Sequence, residues 1–188
     1  MRKVKFPLEL DASTFATPDL QQRLAPVSHR CKAVAKEREE RAKVRRRAKA
    51  HSTEQHAPSD APSDAPRQEG SALSDDEERA LRAKEHDEVE ALIDPELRSD
   101  TGCSPSGLYE LVGIVTHKGA AADAGHYISW VRKENESRDP LADLPSNEWY
   151  KFDDDKASVV DADKISTLYG GGEDSVAYIL LYRARALP

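Results

Sequence analysis

Two stretches decide the fold: Gly125-His126-Tyr127-Ile128-Ser129-Trp130-Val131-Arg132 and Glu148-Trp149-Tyr150-Lys151-Phe152-Asp153. Both are rich in β-branched and aromatic residues and read as strands. The segment between them, Lys133 to Asn147, is polar and holds Pro140 and Pro145. Such a connection suits an antiparallel pair. A symmetric pairing centred near residues 139–140 sets His126 against Asp153, and directly opposed residues lie about 5 Å apart at Cα. A carboxylate there accepts a hydrogen bond from an imidazole nitrogen. It fixes the ring's tautomer and orientation, and the ring then deprotonates a nucleophile or pairs with a thiolate. A histidine at a strand end also has purely structural uses, and Asp153-Asp154-Asp155 alone would also fit a simple turn.

Further strands flank this pair. Leu108–Thr116 is β-rich, Ala157–Val160 forms a short strand, and Val176–Tyr182 is a continuous apolar run of the kind buried on both faces. Asp161–Leu168 reads as a capped helical turn ended by Gly170-Gly171-Gly172. At the front, residues 3–10 alternate so that Val4, Phe6, Leu8 and Leu10 share one face of a strand, with Pro7 confining it to an edge or bulge.

The middle of the chain differs in composition. After a short helical patch at Asp19–Leu24 that stops before Pro26, residues 30–50 form a basic helix ending in Lys43-Val-Arg-Arg-Arg-Ala-Lys49. The run reads first as a solvated helix leading out of a domain; its other reading is a nuclear-localisation or nucleic-acid patch, but it has no aromatics to stack on bases, so nucleic acid is not an expected partner. Ala-Pro-Ser-Asp recurs at 57–60 and 61–64, and residues 51–73 read as a disordered low-complexity insertion. Ser74 with Glu77 makes a capping box that opens a charged helix over 74–99, with a break expected at Asp94-Pro95.

Of the 188 residues, 38% are hydrophobic and 34% charged, with a net charge of −7. That balance argues against nonspecific nucleic-acid binding by the whole chain. The two cysteines, Cys31 and Cys103, make neither a disulfide framework nor a zinc site, so no metal or other cofactor is expected and the compartment reads as reducing. No stretch is apolar for long enough to span a membrane.

The segments Gly125-His126-Tyr127, Trp149-Tyr-Lys-Phe-Asp-Asp-Asp155, Val159 and Ala177-Tyr-Ile-Leu-Leu-Tyr182 resemble, in order and interval, the histidine box of the ubiquitin-specific proteases. Val4–Asp11, Thr116-His-Lys-Gly119 and Ser166–Gly172 are similar to proteasome-associated members. The resemblance implies an α+β fold, the carboxy-terminal part of a papain-like protease domain. Its parts would be a mainly antiparallel palm sheet, a few helices and the insertion. The division would be 1–29 front strand and short helix, 30–50 basic helix, 51–73 insertion, 74–99 charged helix and 100–188 palm sheet.

The resemblance further implies a cysteine-type deubiquitinase, with His126 as general base and Asp153 as its orienting acid, Asp154 being the understudy. Gly125 and Tyr127 would be the substrate-binding positions, although Tyr127, like Trp130, also suits packing in the sheet. Gly119–Gly125 corresponds to a loop covering the ubiquitin-tail cleft. Ubiquitin, ubiquitinated proteins and the proteasome are the implied partners, in the cytoplasm and also the nucleus. Neither Cys31 nor Cys103 lies in surroundings like the family's cysteine box. The nucleophile segment is therefore expected to be missing, and the chain alone to be an inactive fragment with an exposed apolar sheet face. A non-catalytic module that binds ubiquitin or the proteasome is the alternative.

Overall fold

The computed structural model describes residues 3–54, 72–121, 124–134, 147–170 and 175–188. The strands are β1 (Glu9–Asp11), β2 (Leu108–Ala121), β3 (Ala124–Arg132), β4 (Glu148–Asp153), β5 (Lys156–Asp161) and β6 (Val176–Ala184). The helices are α1 (Pro18–Glu54), α2 (Asp75–Ala91) and α3 (Pro95–Ser99), with 3-10 turns at Ala12–Phe15 and Ala162–Tyr169. All strand pairs are antiparallel. They form one sheet in the order β1-β2-β3-β4-β5, with β6 on β2. The fold is α+β.

Alternation along the strands divides the sheet into two faces. The inner face carries Ile114, Ile128, Trp130 and Trp149, which pack with Phe6, Leu111, Ile165 and Leu168 in the main core. The turn at Ala162–Tyr169 supplies Ile165 and Leu168, so this short amphipathic element acts as the lid of the core. The outer face leaves Val131, Phe152, Val159, Ile179 and Leu181 exposed. This is the open apolar face that the sequence leads one to expect. It corrects the expectation for β6: Val176–Tyr182 is not covered on both sides, because nothing among the described residues packs on its outer face, and Leu181 is 53% exposed.

The front strand is shorter than its alternation suggests. Only Glu9–Asp11 pairs with β2. Phe6 is buried while Val4 and Leu8 are exposed, so the four apolar residues do not share a face. Pro7 precedes the pairing, and its carbonyl accepts a hydrogen bond from the Tyr182 hydroxyl at 2.7 Å.

The short helical patch and the basic helix are one element. α1 runs through Pro26. Proline lacks the N–H of an interior helical position, but Val27, Cys31 and Val34 just beyond it are buried against Val89 of α2 and Leu108. That packing carries the helix across the break. α2 opens on Ser74 and Glu77 with both capping-box bonds made, and the chain breaks at Asp94, which caps α3 before Pro95. Arginines spaced along the basic helix pair with α2, and of Arg38, Arg41 and Arg45 only the last belongs to its terminal basic run. Arg38 and Arg41 both bond Glu85 at 2.7 Å, Arg41 also holds Glu78, and Arg45 pairs with Asp75. Of the expected insertion, residues 51–54 continue α1, and 55–71 lie outside the described residues.

Candidate active site

β3 enters the sheet at Ala124, so His126 stands near its start, on the inner face with Ile128 and Trp130. β4 ends at Asp153, followed by the two-residue turn Asp154-Asp155 into β5, where Asp153 is level with Lys156. Asp154 takes a left-handed conformation with φ 53°, which aspartate tolerates better than most residues.

The β3–β4 register is two residues away from the symmetric one. Ser129 faces Phe152 and Trp130 faces Lys151. Asp153 is therefore level with Ile128 rather than His126. A two-residue offset keeps both side chains on the same face, where diagonal neighbours remain within reach. The side chains close the gap: His126 Nε2 and Asp153 Oδ1 are 2.5 Å apart. Asp154 is a poorer partner, 77% exposed, with an oxygen 3.9 Å from His126 Nδ1.

The other Asp153 oxygen, Oδ2, accepts a hydrogen bond from Lys151 Nζ at 2.7 Å. The Lys151 hydrogen bond first, and then that of His126, hold the Asp153 carboxyl well below the usual range, at about 2. At neutral pH the carboxylate is therefore an acceptor only. The proton in the short contact belongs to His126 Nε2, which donates, and in the neutral ring this leaves the lone pair on Nδ1. A base whose proton-accepting nitrogen is free, fixed through the other nitrogen, is the arrangement a thiol or hydroxyl nucleophile needs.

The dyad borders a cleft of about 280 Å³, with Ile128, Trp130 and Leu168 as apolar lining and Lys118, Lys164 and Ser175 among its polar lining. Neither cysteine lines it. Cys31 is buried in the α1–α2 core, where desolvation pushes its thiol up. That is the wrong direction for a nucleophile. Its side borders a separate cavity of about 500 Å³ beside Leu187 and Pro188. Cys103 Sγ contacts the Ser104 carbonyl at 3.7 Å in the connection before β2.

Gly125 is close to the outer-face residue His117: a Cβ on Gly125 would come within 2.0 Å of His117 Nε2. Tyr127 is directly opposite His117, on the face away from the cleft, with its ring 4.7 Å from His117 and 6.3 Å from Tyr178. The structure thus brings His126 and Asp153 together with Gly125 beside them, and does not bring Tyr127 into the cleft. The expected covering loop is mostly strand: β2 reaches Ala121 and pairs there with Ala124, while 122–123 lie outside the described residues. Lys151 was the residue to add to the site. Its signal was its position two before Asp153 on a strand, which puts both on one face.

His126, Asp153 and Asp154 also offer one ligand atom each within 4.8 Å of one another. The first two already satisfy each other, and the third is exposed.

Comparison with known proteins gives the chain a family. The sequence pattern of the family "Ubiquitin carboxyl-terminal hydrolase" matches residues 1–182. The chain is 40% identical over 98% of its length to "Ubiquitin carboxyl-terminal hydrolase 6" of Schizosaccharomyces pombe, of which it covers 34%. It is 30% identical over 98% of its length to the protein of the same title from Arabidopsis thaliana, covering 32% of it. A chain in the solved "Structure of the Ubp8-Sgf11-Sgf73-Sus1 SAGA DUB module" is 28% identical over 43% of this chain and 15% of its own, with a TM-score of 0.29. The chain thus spans about a third of the length of the curated relatives it matches. By the extent of the family match and the identity to these relatives, it belongs to the ubiquitin carboxyl-terminal hydrolase family.

Proposed function

We propose that this chain supplies the base and orienting acid of a cysteine-type deubiquitinase, which hydrolyses the isopeptide or peptide bond at the carboxy terminus of ubiquitin. The observation that carries the reading is the 2.5 Å contact of His126 Nε2 with an ionised Asp153 at the edge of a cleft. Since neither cysteine lines that cleft, the thiol comes from a segment outside these 188 residues. The relatives are about three times as long, which leaves ample chain for it.

His126 Nδ1 takes the thiol proton, and the thiolate adds to the terminal glycine carbonyl of ubiquitin. The imidazolium returns the proton to the departing amine as the C–N bond breaks, leaving a thioester. Water, deprotonated by the same nitrogen, then attacks the thioester, and sulfur leaves with the proton. Asp153 keeps its charge throughout and stabilises the imidazolium.

Placement with the proteasome-associated members, in the cytoplasm, is supported by the likeness of Val4–Asp11, Thr116–Gly119 and Ser166–Gly172 to that subgroup. Among the described residues no helix is long and apolar enough to cross a membrane.

The test is turnover of a ubiquitin–fluorophore amide. The full-length protein should cleave it, His126→Ala in that protein should abolish cleavage, and the 188-residue chain alone should show none. Cleavage that survives His126→Ala would overturn the assignment. A second reading, a module that binds ubiquitin without cutting, is favoured by the fact that neither cysteine lines the cleft. Retention of ubiquitin by a full-length protein with no turnover would select it.

A further inference from the structure

We infer that Lys151 is a positioning residue for the dyad: its ammonium, set over the Trp130 ring, holds the second oxygen of Asp153 and so fixes the rotamer from which Asp153 orients His126. The inference rests on the catalytic reading of His126 and Asp153 given above.

Asp153 needs such a hold. It is the last residue of β4, at the entrance to an exposed turn, and its side chain is 31% exposed. Nothing in the strand itself restricts the carboxylate to the one orientation that meets a ring two residues out of level. A carboxylate gripped through both oxygens by different partners has only one orientation that serves both.

Lys151 is itself held from the core. It is directly opposite Trp130 across the β3–β4 pair, and its Nζ lies 5.7 Å from the Trp130 ring centroid, within the range in which a ring face attracts a cation. Trp130 is 2% exposed. Its indole Nε1 donates to Thr116 Oγ1 at 3.1 Å, and the Thr116 hydroxyl donates to the Ile128 carbonyl at 3.2 Å. Thr116 is fully buried. A continuous series of contacts thus runs from a buried hydroxyl on β2, through an indole on β3 and an ammonium on β4, to the carboxylate and then the imidazole. The low position of the Asp153 carboxyl, whose largest cause is Lys151, agrees with this.

An incidental ion pair would look similar in distance but would not control its neighbours. Partly exposed pairs add little to stability, so melting temperature does not discriminate. The titration of Asp153 and the tautomer of His126 do, and both are read by NMR in the 188-residue chain, with no thiol or substrate required.

In Lys151→Met, which keeps the aliphatic stem over Trp130, the Asp153 carboxyl should titrate at least half a pH unit higher. The His126 ring nitrogens should lose the signature of a single Nε2–H tautomer. Lys151→Arg should restore most of both. Lys151→Gln serves the same purpose if the methionine variant does not fold. An amide spectrum showing an intact fold, with Asp153 titration and His126 tautomer unchanged in the uncharged variant, would overturn the inference and leave the catalytic reading standing. Failure of that reading is seen separately, in turnover that persists without His126.

Discussion

The ring of His117 occupies the space a side chain on Gly125 would need: a Cβ there would lie 2.0 Å from His117 Nε2 and 2.8 Å from the Lys118 carbonyl. No described group bonds that buried nitrogen. Glycine is therefore required before His126 by close approach, not by a left-handed backbone, since Gly125 is not among the residues with positive φ.

Gly125→Ala should displace the start of β3 and with it His126. The expected cost is about 1–3 kcal/mol, as for other overpacked sites, with turnover of the full-length enzyme lowered further than stability. His117→Ala in the same chain should recover part of the loss but not all, because the Lys118 carbonyl still crowds the new methyl. Chemical denaturation of the two single variants and the double variant checks the coupling; strict additivity would show the contact to be irrelevant.

Asp153→Asn should retain the fold but present an amide where a charge is needed. The amide can donate to His126 Nε2, which then favours the wrong tautomer. In a well-studied protease triad the equivalent change lowers kcat about 10⁴-fold, and a loss of about 10²–10⁴-fold in the full-length enzyme is expected here. Asp154→Asn should change turnover less than about threefold, since its oxygen is 3.9 Å from the ring and 77% exposed.

The depressed Asp153 carboxyl sets a sign for acid sensitivity. Its folded value near 2 lies below the ordinary 3.8, so the unfolded chain binds the proton more readily. Its contribution to stability is complete above about pH 4 and fades as pH falls through 2. The stability difference between the wild-type chain and Asp153→Asn should shrink as pH falls from 4 towards 2. A difference that stayed constant from pH 4 to 2 would show that the Asp153 carboxyl is not held low.

Glu85 is 2% exposed and faces two arginines of α1 at 2.7 Å each. Glu85→Gln leaves two partly buried guanidiniums short of a counter-charge, and removing one member of such a set costs on the order of 3 kcal/mol. Urea denaturation followed by far-UV circular dichroism should show the loss; a change below about 0.5 kcal/mol would mean that water already reaches the network.

How far these features were legible depends on the kind of signal. β-branched and aromatic composition marked the strands from Leu108 to Tyr182 well, because such side chains suit a pleated, half-buried surface. The symmetric pairing of two of them also placed His126 and Asp153 on one face. Neither could fix their level: a two-residue slip changes no residue's face, and the connection 133–147 is too long to dictate a turn. Pro26 was misleading for the opposite reason. A local breaker was outweighed by the burial of Val27, Cys31 and Val34, which no local rule registers. The exposure of β6 was hidden because an apolar run records what it is built to meet, whether or not that surface is present.

The two arms of the α1–α2 hairpin are fastened to each other by Arg38, Arg41 and Arg45, and at the base by Val27, Val34 and Val89. Residues 55–71 join those arms beyond the last of these fastenings, Arg45 with Asp75. A change in how many residues join the arms alters closure entropy only logarithmically. The pairing of α1 with α2 thus has its own fastenings, made of residues other than the histidine and its carboxylate on the sheet.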